Sequence, residues 1–143
     1  MGEPERHVVF RVDSGRYALP LSAVREVVIT PELVTRIPRT GAAVTGVINL
    51  RGRVVTVVDL RPLLGLGTPD APAAKVLLLD RGRRDLGLGV SEVEGIEQLE
   101  RVVRSATEGM DLVRGVARLG AVQVGVLDVD LLDVRVTALF RGR

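Results

Sequence analysis

Residues 46–61 read GVINLRGRVVTVVDLR, in which two apolar runs flank the pair Arg51-Gly52. Runs rich in valine favour β-strands, because β-branched side chains pack well on a pleated surface, and the Arg-Gly pair predicts a tight turn between them. Asp59 directly follows the second run, where its carboxylate can cap a short helix that begins at Leu60 and stops at Gly65. This stretch therefore predicts a β-hairpin followed by one helical turn.

The same pattern returns later in the chain, without a gap. Gly46 has its counterpart in Gly115 (115 − 46 = 69), and Asp59 has its counterpart in Asp128 (128 − 59 = 69). Identical pairs at this spacing also include Leu19 and Leu88, Ser22 and Ser91, Val24 and Val93, Val47 and Val116, Leu50 and Leu119, Val55 and Val124, Val57 and Val126, and Leu63 and Leu132. The repeat predicts a single domain, residues 1–143, that contains two similar lobes at about residues 8–66 and 75–134, on either side of a Pro- and Ala-rich stretch.

Each half shows short apolar runs at regular spacing, with turn residues between them. The predicted strands are 8–12, 16–20, 26–30, 45–50 and 53–58 in the first half, and 76–80, 86–90, 95–99, 112–119 and 122–127 in the second. Ser22 is a candidate cap for a helical turn at 22–24, and no element is predicted for 101–110. This spacing is typical of small closed barrels, so the chain is predicted to be mainly β, with short helices.

Composition narrows the class of protein further. The chain is 46% hydrophobic with a net charge of +2, and charges of both signs are interleaved along it. It has no cysteine, which excludes disulfides and thiolate metal sites. It also lacks an uninterrupted run of the roughly 18 apolar residues that a membrane-spanning helix needs, and the first seven residues are polar. We therefore expect a soluble, cytoplasmic protein that does not insert into the membrane.

The side chains that catalysis requires are scarce. His7 is the only histidine, and its place at the start of the first strand indicates an exposed terminal side chain. Asp128, Asp130 and Asp133 lack the spacing and the glycine of an ion-binding loop, so we interpret Asp128 as a helix cap. The three aromatic residues are scattered and no dense basic run exists, which argues against nucleic-acid binding. We expect no enzyme activity, no cofactor and no metal.

The stretch 46–61 closely resembles the CheW-like domain family, in which a glycine, an apolar pair and Asn-Leu-Arg-Gly precede an apolar strand and Asp-Leu-Arg. The segments 17–27 and 34–38 are similar to the parts of that family that precede this hairpin. The second half fits through 86–96 and 126–132, so that the resemblance covers about residues 8–134.

The resemblance implies two SH3-like five-stranded β-barrels, related by the internal repeat, with a hydrophobic seam between them. It also implies a non-enzymatic adaptor that couples the signalling tips of methyl-accepting chemoreceptors to the regulatory domain of a CheA-type histidine kinase, and that associates with membrane receptor arrays only through these partners. Positions associated with receptor contact in the family match Val24, Glu26, Gly46, Asn49 and Arg51, and on the second lobe Gly87.

The residues themselves leave several of these roles open. Arg51 at a hairpin tip suits carboxylate or carbonyl recognition, whereas Asn49 either anchors the turn or contacts a partner. Val24 is either a core residue or an exposed contact, and Gly46 allows either a partner's close approach or a tight turn. The equivalent tip of the second half is Gly120-Ala121, so we expect the first lobe to face the receptor and the second to offer an apolar surface to the kinase.

Two alternative functions remain open from the sequence. One is a CheW-like scaffold of a non-flagellar chemosensory system that serves gliding or pilus-based movement. The other, from a different class, is a small-barrel nucleic-acid-binding protein, which would show salt-sensitive retention on mixed DNA or RNA.

Overall fold

The computed structural model describes residues 5–38, 40–80, 85–99, 102–104 and 112–140, most of which lie in strands. The strands are β1 (Arg6–Val12), β2 (Gly15–Pro20), β3 (Val24–Ile29), β4 (Val44–Leu50), β5 (Arg53–Asp59), β6 (Lys75–Leu79), β7 (Leu86–Val90), β8 (Glu92–Gln98), β9 (Val103–Arg104), β10 (Val113–Leu119) and β11 (Val122–Leu127). The helices are a 3-10 turn (Leu21–Ala23), α1 (Leu60–Leu63) and α2 (Val129–Leu139). All ten predicted strands are present to within a few residues, and β9 is an addition. The predicted turn at 82–84 lies outside the described residues.

The strands form two sheets. The five-stranded sheet has the order β3-β6-β7-β5-β4, and the six-stranded sheet has the order β8-β1-β2-β11-β10-β9. We refer to them below as the five-stranded lobe and the six-stranded lobe. The prediction of a mainly β protein with two SH3-like lobes and few helices is confirmed.

The internal repeat is confirmed down to the irregularities of its strands. The pairing of β3 with β6 shifts register at Arg25, and the pairing of β8 with β1 shifts at Glu94, 69 residues later (94 − 25 = 69). The pairing of β4 with β5 shifts at Thr45, and that of β10 with β11 shifts at Arg114, at the same spacing (114 − 45 = 69). Bulges of this kind bend a strand and increase its twist, so both halves curve at equivalent points.

The two halves exchange their first hairpins. Hairpin β1–β2 lies in the sheet that β8 to β11 of the second half form, and hairpin β6–β7 lies in the sheet that β3 to β5 of the first half form. Each exchanged hairpin joins its new sheet by a parallel pairing, β2 with β11 and β5 with β7. The contiguous lobes predicted at 8–66 and 75–134 therefore do not coincide with the two sheets, because a repeated pattern does not specify which copy of a hairpin each sheet incorporates.

The apolar side chains of the described residues form three separate cores. The largest is the seam between the lobes, where strands of both sheets and the two α-helices meet around Phe10, Leu77, Leu88, Leu127 and Leu132. A second core, around Ile48, Val55, Val57, Val76 and Leu78, fills the five-stranded lobe. A third, around Val9, Ala18, Leu99, Ala117, Val124 and Val126, fills the six-stranded lobe. The expected hydrophobic seam is therefore the main core of the molecule.

Two of the three predicted helix caps are confirmed. The Asp59 carboxylate accepts a hydrogen bond from the backbone N–H of Arg61 at 2.9 Å, and the Asp128 carboxylate accepts one from the N–H of Leu131 at 3.0 Å. The prediction for Ser22 is wrong, because it lies inside the 3-10 turn, which follows Pro20 without any side-chain cap. The cap position is occupied by Pro20, whose side chain has no hydrogen-bond acceptor.

The prediction for His7 is also wrong. Its side chain is only 1% exposed, because β1 begins at Arg6 and pairs on one side with β2 and on the other with β8. His7 corresponds in the repeat to Val76 (76 − 7 = 69), which belongs to the core of the five-stranded lobe. Nδ1 of His7 lies 3.0 Å from the carbonyl of Glu5, and Nε2 has no hydrogen-bond partner among the described residues.

Candidate partner-binding site

The tip of hairpin β4–β5 is a two-residue turn with an unusual backbone. Both Arg51 and Gly52 have positive φ, at 53° and 84°. Two-residue turns of this kind match the right-handed twist of the flanking strands, but a residue with a side chain adopts positive φ at a cost. The Asn49 side chain compensates, because its Oδ1 accepts a hydrogen bond from the N–H of Gly52 at 2.9 Å. Of the two roles that the sequence left open for Asn49, the structure shows the turn anchor.

The Arg51 side chain links the hairpin tip to β3, the strand at the other edge of the same sheet. Its Nη2 donates to Oε1 of Glu26 on β3 at 2.6 Å, and β3 and β4 are the two end strands of the five-stranded sheet. This hydrogen bond lowers the pKa of the Glu26 carboxyl below its ordinary value and raises that of the Arg51 guanidinium. Since the Arg51 side chain is 65% exposed, the pair leaves much of the guanidinium open to a partner. Glu26, Asn49 and Arg51 are thus brought together at one site.

A second ionic group lies on the same lobe. Nη2 of Arg53 donates to Oδ1 of Asp85 at 2.7 Å, and Nη2 of Arg25 approaches the same oxygen at 4.0 Å. The parallel pairing of β5 with β7 brings Arg53 beside Asp85. Reasoning from the sequence missed this group, because contiguous lobes place Arg53 and Asp85 in different barrels. A recognised exchange of hairpins would have been the signal that finds it.

The two predicted glycines lie inside the fold. Gly46 is buried with φ of 142°, and a β-carbon there would collide with the backbone carbonyl of Thr35. Thr35 pairs with Val47 through two backbone hydrogen bonds of 2.9 and 2.7 Å, so the absence of a side chain at Gly46 lets the chain's own loop pack against β4. Partner contact by Gly46 stays a prediction. Gly87 is buried on β7, where a β-carbon would collide with Val76. Close packing of β6 on β7 thus occupies the space beside Gly87. Partner contact by Gly87 stays a prediction.

Val24 lies on the same strand as Glu26 and also contacts the seam core. It lies on β3 two residues before Glu26, is half-buried, and packs against the seam. This half-buried position is compatible with both roles left open by the sequence, a core residue and an exposed contact. Partner contact by Val24 stays a prediction.

The Asp-Leu-Arg part of the motif has an internal role. Asp59 is fully buried, and Arg61 donates to its carboxylate through Nε at 2.9 Å and Nη2 at 2.7 Å. The same Nη2 also donates to the carbonyl of Ala71 at 2.8 Å. The hydrogen bonds that Arg61 donates to the Asp59 carboxylate raise the pKa of the Arg61 guanidinium. The pair thus fixes the connection between the two halves against α1.

The described part of the chain contains no group of three or more His, Cys, Asp or Glu side chains arranged to hold a metal ion. None of its helices combines the length and the apolar character that crossing a membrane requires. What the site offers is a guanidinium at the tip of hairpin β4–β5 and a carboxylate on β3 beside it, a chemistry suited to recognising charged side chains and carbonyls of another protein.

Fold and site together define a two-lobed β-barrel protein with a polar hairpin tip. The model of the CheW-like domain matches residues 6–135, and the chain belongs to this family. It is 32% identical over 127 residues to the probable chemotaxis protein CheW of Rhizobium etli, covering 86% of this chain and 77% of that protein. It is 27% identical over 121 residues to the chemotaxis protein CheW of Thermotoga maritima, covering 85% and 76%.

The fold is also similar to a solved structure. The crystal structure of the scaffolding protein TtCheW from Thermoanaerobacter tengcongensis superposes with a TM-score of 0.75 at 23% identity, over 90% of this chain and 87% of that one. The shared fold agrees with the membership of the CheW-like domain family.

Proposed function

We propose that this protein is a non-enzymatic cytoplasmic adaptor that couples methyl-accepting chemoreceptors to a CheA-type histidine kinase. Membership of the CheW-like family supports the proposal, as does the name of the relatives from Rhizobium etli and Thermotoga maritima. The adaptor joins membrane receptor arrays through its partners and contributes no catalytic group of its own.

The observation that carries the proposal is the geometry of Arg51. The backbone of Arg51 has positive φ, in a turn that the hydrogen bond from the N–H of Gly52 to Asn49 anchors. The Arg51 side chain pairs with Glu26 and is nevertheless 65% exposed. Backbone strain of this kind costs free energy and is found where a site needs a fixed geometry. A preoriented guanidinium loses less entropy when it binds a carboxylate or carbonyl of the receptor tip. Val24, on the same strand as Glu26, completes the proposed contact.

A binding assay with two partners tests the proposal. The purified protein is presented to a chemoreceptor signalling tip and to the regulatory domain of a CheA-type kinase, separately and together. We expect binding to both. Binding to neither, with a folded sample and several kinases tried, would remove the proposed function and leave the fold unaffected.

The variant Arg51→Glu assigns the receptor contact. We expect it to weaken receptor binding about tenfold or more, since it replaces attraction by repulsion, and to leave kinase binding unchanged. The matched control is Arg118→Glu, which makes the same change of charge at an exposed position on β10 of the six-stranded lobe. Loss of kinase binding with normal receptor binding would contradict the assignment.

A further inference from the structure

The two exchanged hairpins carry ionic contacts of opposite polarity to their sheets. In the six-stranded lobe the hairpin supplies the cation, because Nε of Arg16 on β2 donates to Oε1 of Glu94 on β8 at 2.8 Å. In the five-stranded lobe the hairpin supplies the anion. Oδ1 of Asp85, directly before β7, accepts from Nη2 of Arg53 at 2.7 Å and lies 4.0 Å from Nη2 of Arg25. Each contact therefore joins a hairpin of one half to strands of the other half.

The internal repeat places these contacts at equivalent positions. Arg16 corresponds to Asp85 (85 − 16 = 69), and Arg25 corresponds to Glu94 (94 − 25 = 69). Arg25 and Glu94 are also the residues at which their strands shift register, so both lie at the same kind of bulge. The backbone is thus repeated at these positions, whereas the sign of each charge is inverted.

The inverted signs matter for pairing between like halves. A chain of two similar halves has a competing arrangement, in which a sheet takes up a hairpin of its own kind of half, from the same chain or from a second copy. Pairing of two first halves would place Arg16 beside Arg25 and Arg53, so that three guanidiniums meet. Pairing of two second halves would place Asp85 beside Glu94. Only the observed exchange brings opposite charges together.

A second pair of positions separates the halves by polarity. His7 on β1 lies opposite Glu97 on β8. The equivalent residues, Val76 and Val28, lie opposite each other on β6 and β3 (76 − 7 = 69; 97 − 28 = 69). Pairing of like halves would place the half-buried Glu97 beside the fully buried Val76. A carboxylate that loses water without gaining a hydrogen bond raises the free energy of the assembly, so polarity selects the same exchange as charge.

We propose that the inverted charges at the two hairpins make each sheet accept the hairpin of the other half and reject a hairpin of its own kind. The partner rejected is a second copy of this chain, whose identical half offers the same backbone with the wrong charge. An exposed ion pair contributes little stability, so the charges act mainly through repulsion in the wrong assembly. The inference rests on the exchange and its charges and does not depend on the proposed coupling of receptor to kinase.

A charge-reversed variant removes the discrimination without removing an ion pair. Arg16→Glu combined with Glu94→Arg keeps an attractive pair in the native arrangement, but it makes both hairpins acidic and both bulges basic. Like halves can then pair without repulsion. We expect this variant to unfold at the same urea concentration as the wild type. Arg16→Glu alone should have an unfolding equilibrium constant about threefold larger, because it faces Glu94.

Engineered cysteines report the wrong pairing, because the chain has none of its own. Arg6 lies opposite Gln98, and Ile29 lies opposite Lys75, so residues 6 and 29 pair with different strands in different sheets. Between two first halves they would face each other, since Ile29 corresponds to Gln98 (98 − 29 = 69). β-Carbons of directly opposed residues are about 4.5–5.5 Å apart, which a small shift brings within reach of a disulfide. A disulfide between Arg6→Cys and Ile29→Cys therefore marks pairing of like halves.

The experiment compares refolding of full chains that carry both cysteines. Each chain is refolded from urea under mild oxidation at increasing protein concentration, and disulfides between residues 6 and 29 are quantified by mass spectrometry. We expect the charge-reversed chain to give at least about tenfold more of this disulfide between chains than the chain with wild-type charges. Added salt should narrow the difference, because it screens the repulsion that protects the wild type.

The matched control reverses the other lobe as well, by adding Asp85→Arg, Arg25→Glu and Arg53→Glu. Discrimination then returns with opposite signs, so the yield of the disulfide should fall back to the wild-type level. Equal yields from the charge-reversed and wild-type chains, or a high yield from the control, would overturn the proposal. If the charge-reversed chain does not refold, Arg16→Gln with Glu94→Gln takes its place, and a yield no higher than that of the wild type would overturn the proposal equally.

Discussion

At the scale of single residues, the pair of Arg51 and Glu26 has the clearest physical consequence. The hydrogen bond from the guanidinium holds the pKa of Glu26 below its ordinary value, and the weaker Coulombic influence of Arg25 acts in the same direction. A carboxyl with a lowered pKa stabilises the folded state above its ordinary pKa. That contribution is lost as the pH falls through the lowered pKa, where the carboxyl takes up a proton.

We predict that the pair opens in acid, below the ordinary pKa of glutamate at about 4.3. In an NMR titration of the wild-type protein, the midpoint of Glu26 should lie below that value. Arg51→Gln should raise it toward the ordinary value, whereas Arg25→Gln should move it only slightly, because hydrogen bonding by Arg51 is the main cause of the shift. A midpoint that does not respond to Arg51→Gln would show that the two side chains do not pair in solution.

Single residues also show how far a sequence reveals a site. The motif around Asn49 and Arg51 is local, so a turn and an exposed arginine follow from it directly. Burial is different, because it depends on which strands lie beside a residue. Gly87 is buried because β6 lies beside it, and His7 because β8 lies beside it. Nothing in the residues around either position indicates which strand will be its neighbour.

At the scale of elements, the two helix caps occupy equivalent positions in different surroundings. Asp128 is partly buried and accepts one hydrogen bond from the backbone of α2. Asp59 is fully buried, caps α1, and also binds Arg61 through two hydrogen bonds. A cap alone contributes about 1 kcal/mol, and removal of one partner of a buried ion pair costs more because the other charge remains.

We therefore predict that Asp128→Ala lowers the free energy of unfolding by about 1 kcal/mol and Asp59→Ala by about 2–4 kcal/mol. Chemical denaturation of the two variants and the wild type measures the difference. Equal losses would mean that Arg61 finds water or another acceptor when Asp59 is absent, and that the pair contributes little beyond the cap.

Strands and helices are the features of this structure that the sequence predicts best. Strands follow from runs of valine and leucine, and their ends follow from turn residues, both of which are properties of neighbours in the chain. β9 was not predicted, because two exposed residues, Val103 and Arg104, carry no periodic pattern. Residue type alone predicts Ser22 as a cap, whereas the turn begins at Leu21 and Pro20 holds the cap position.

At the scale of the whole molecule, the exchange of hairpins makes the two lobes dependent on one another. Neither half of the chain contains all strands of either sheet, since each sheet is completed by a hairpin from the other half. The repeat indicated how many similar units exist, but the choice between a hairpin's own half and the other half depends on long-range parallel pairings. Alternation of apolar residues is compatible with both choices.

We predict that cleavage of the connection after Thr68 leaves two fragments that fold only together. Residues 1–68 and 69–143, produced separately, should each lack the dispersed NMR spectrum of a folded monomer, and an equimolar mixture should restore the spectrum of the intact chain. The physical reason is that each fragment alone leaves one face of its apolar strands uncovered. A folded monomer from either fragment alone would contradict the prediction.

The exchange of hairpins also means that some strands are synthesised long before the strands with which they pair. β1 and β2 are the first strands to emerge, yet β11, with which β2 pairs, is the last strand to be made. At a synthesis rate of about 5–20 residues per second, a newborn β1–β2 hairpin waits roughly 5–20 s with its apolar faces uncovered. All five strands of the other sheet, in contrast, have left the exit tunnel once Val90 has emerged. Any factor that pauses translation between β7 and β11 therefore lengthens the interval in which this chain is most open to aggregation.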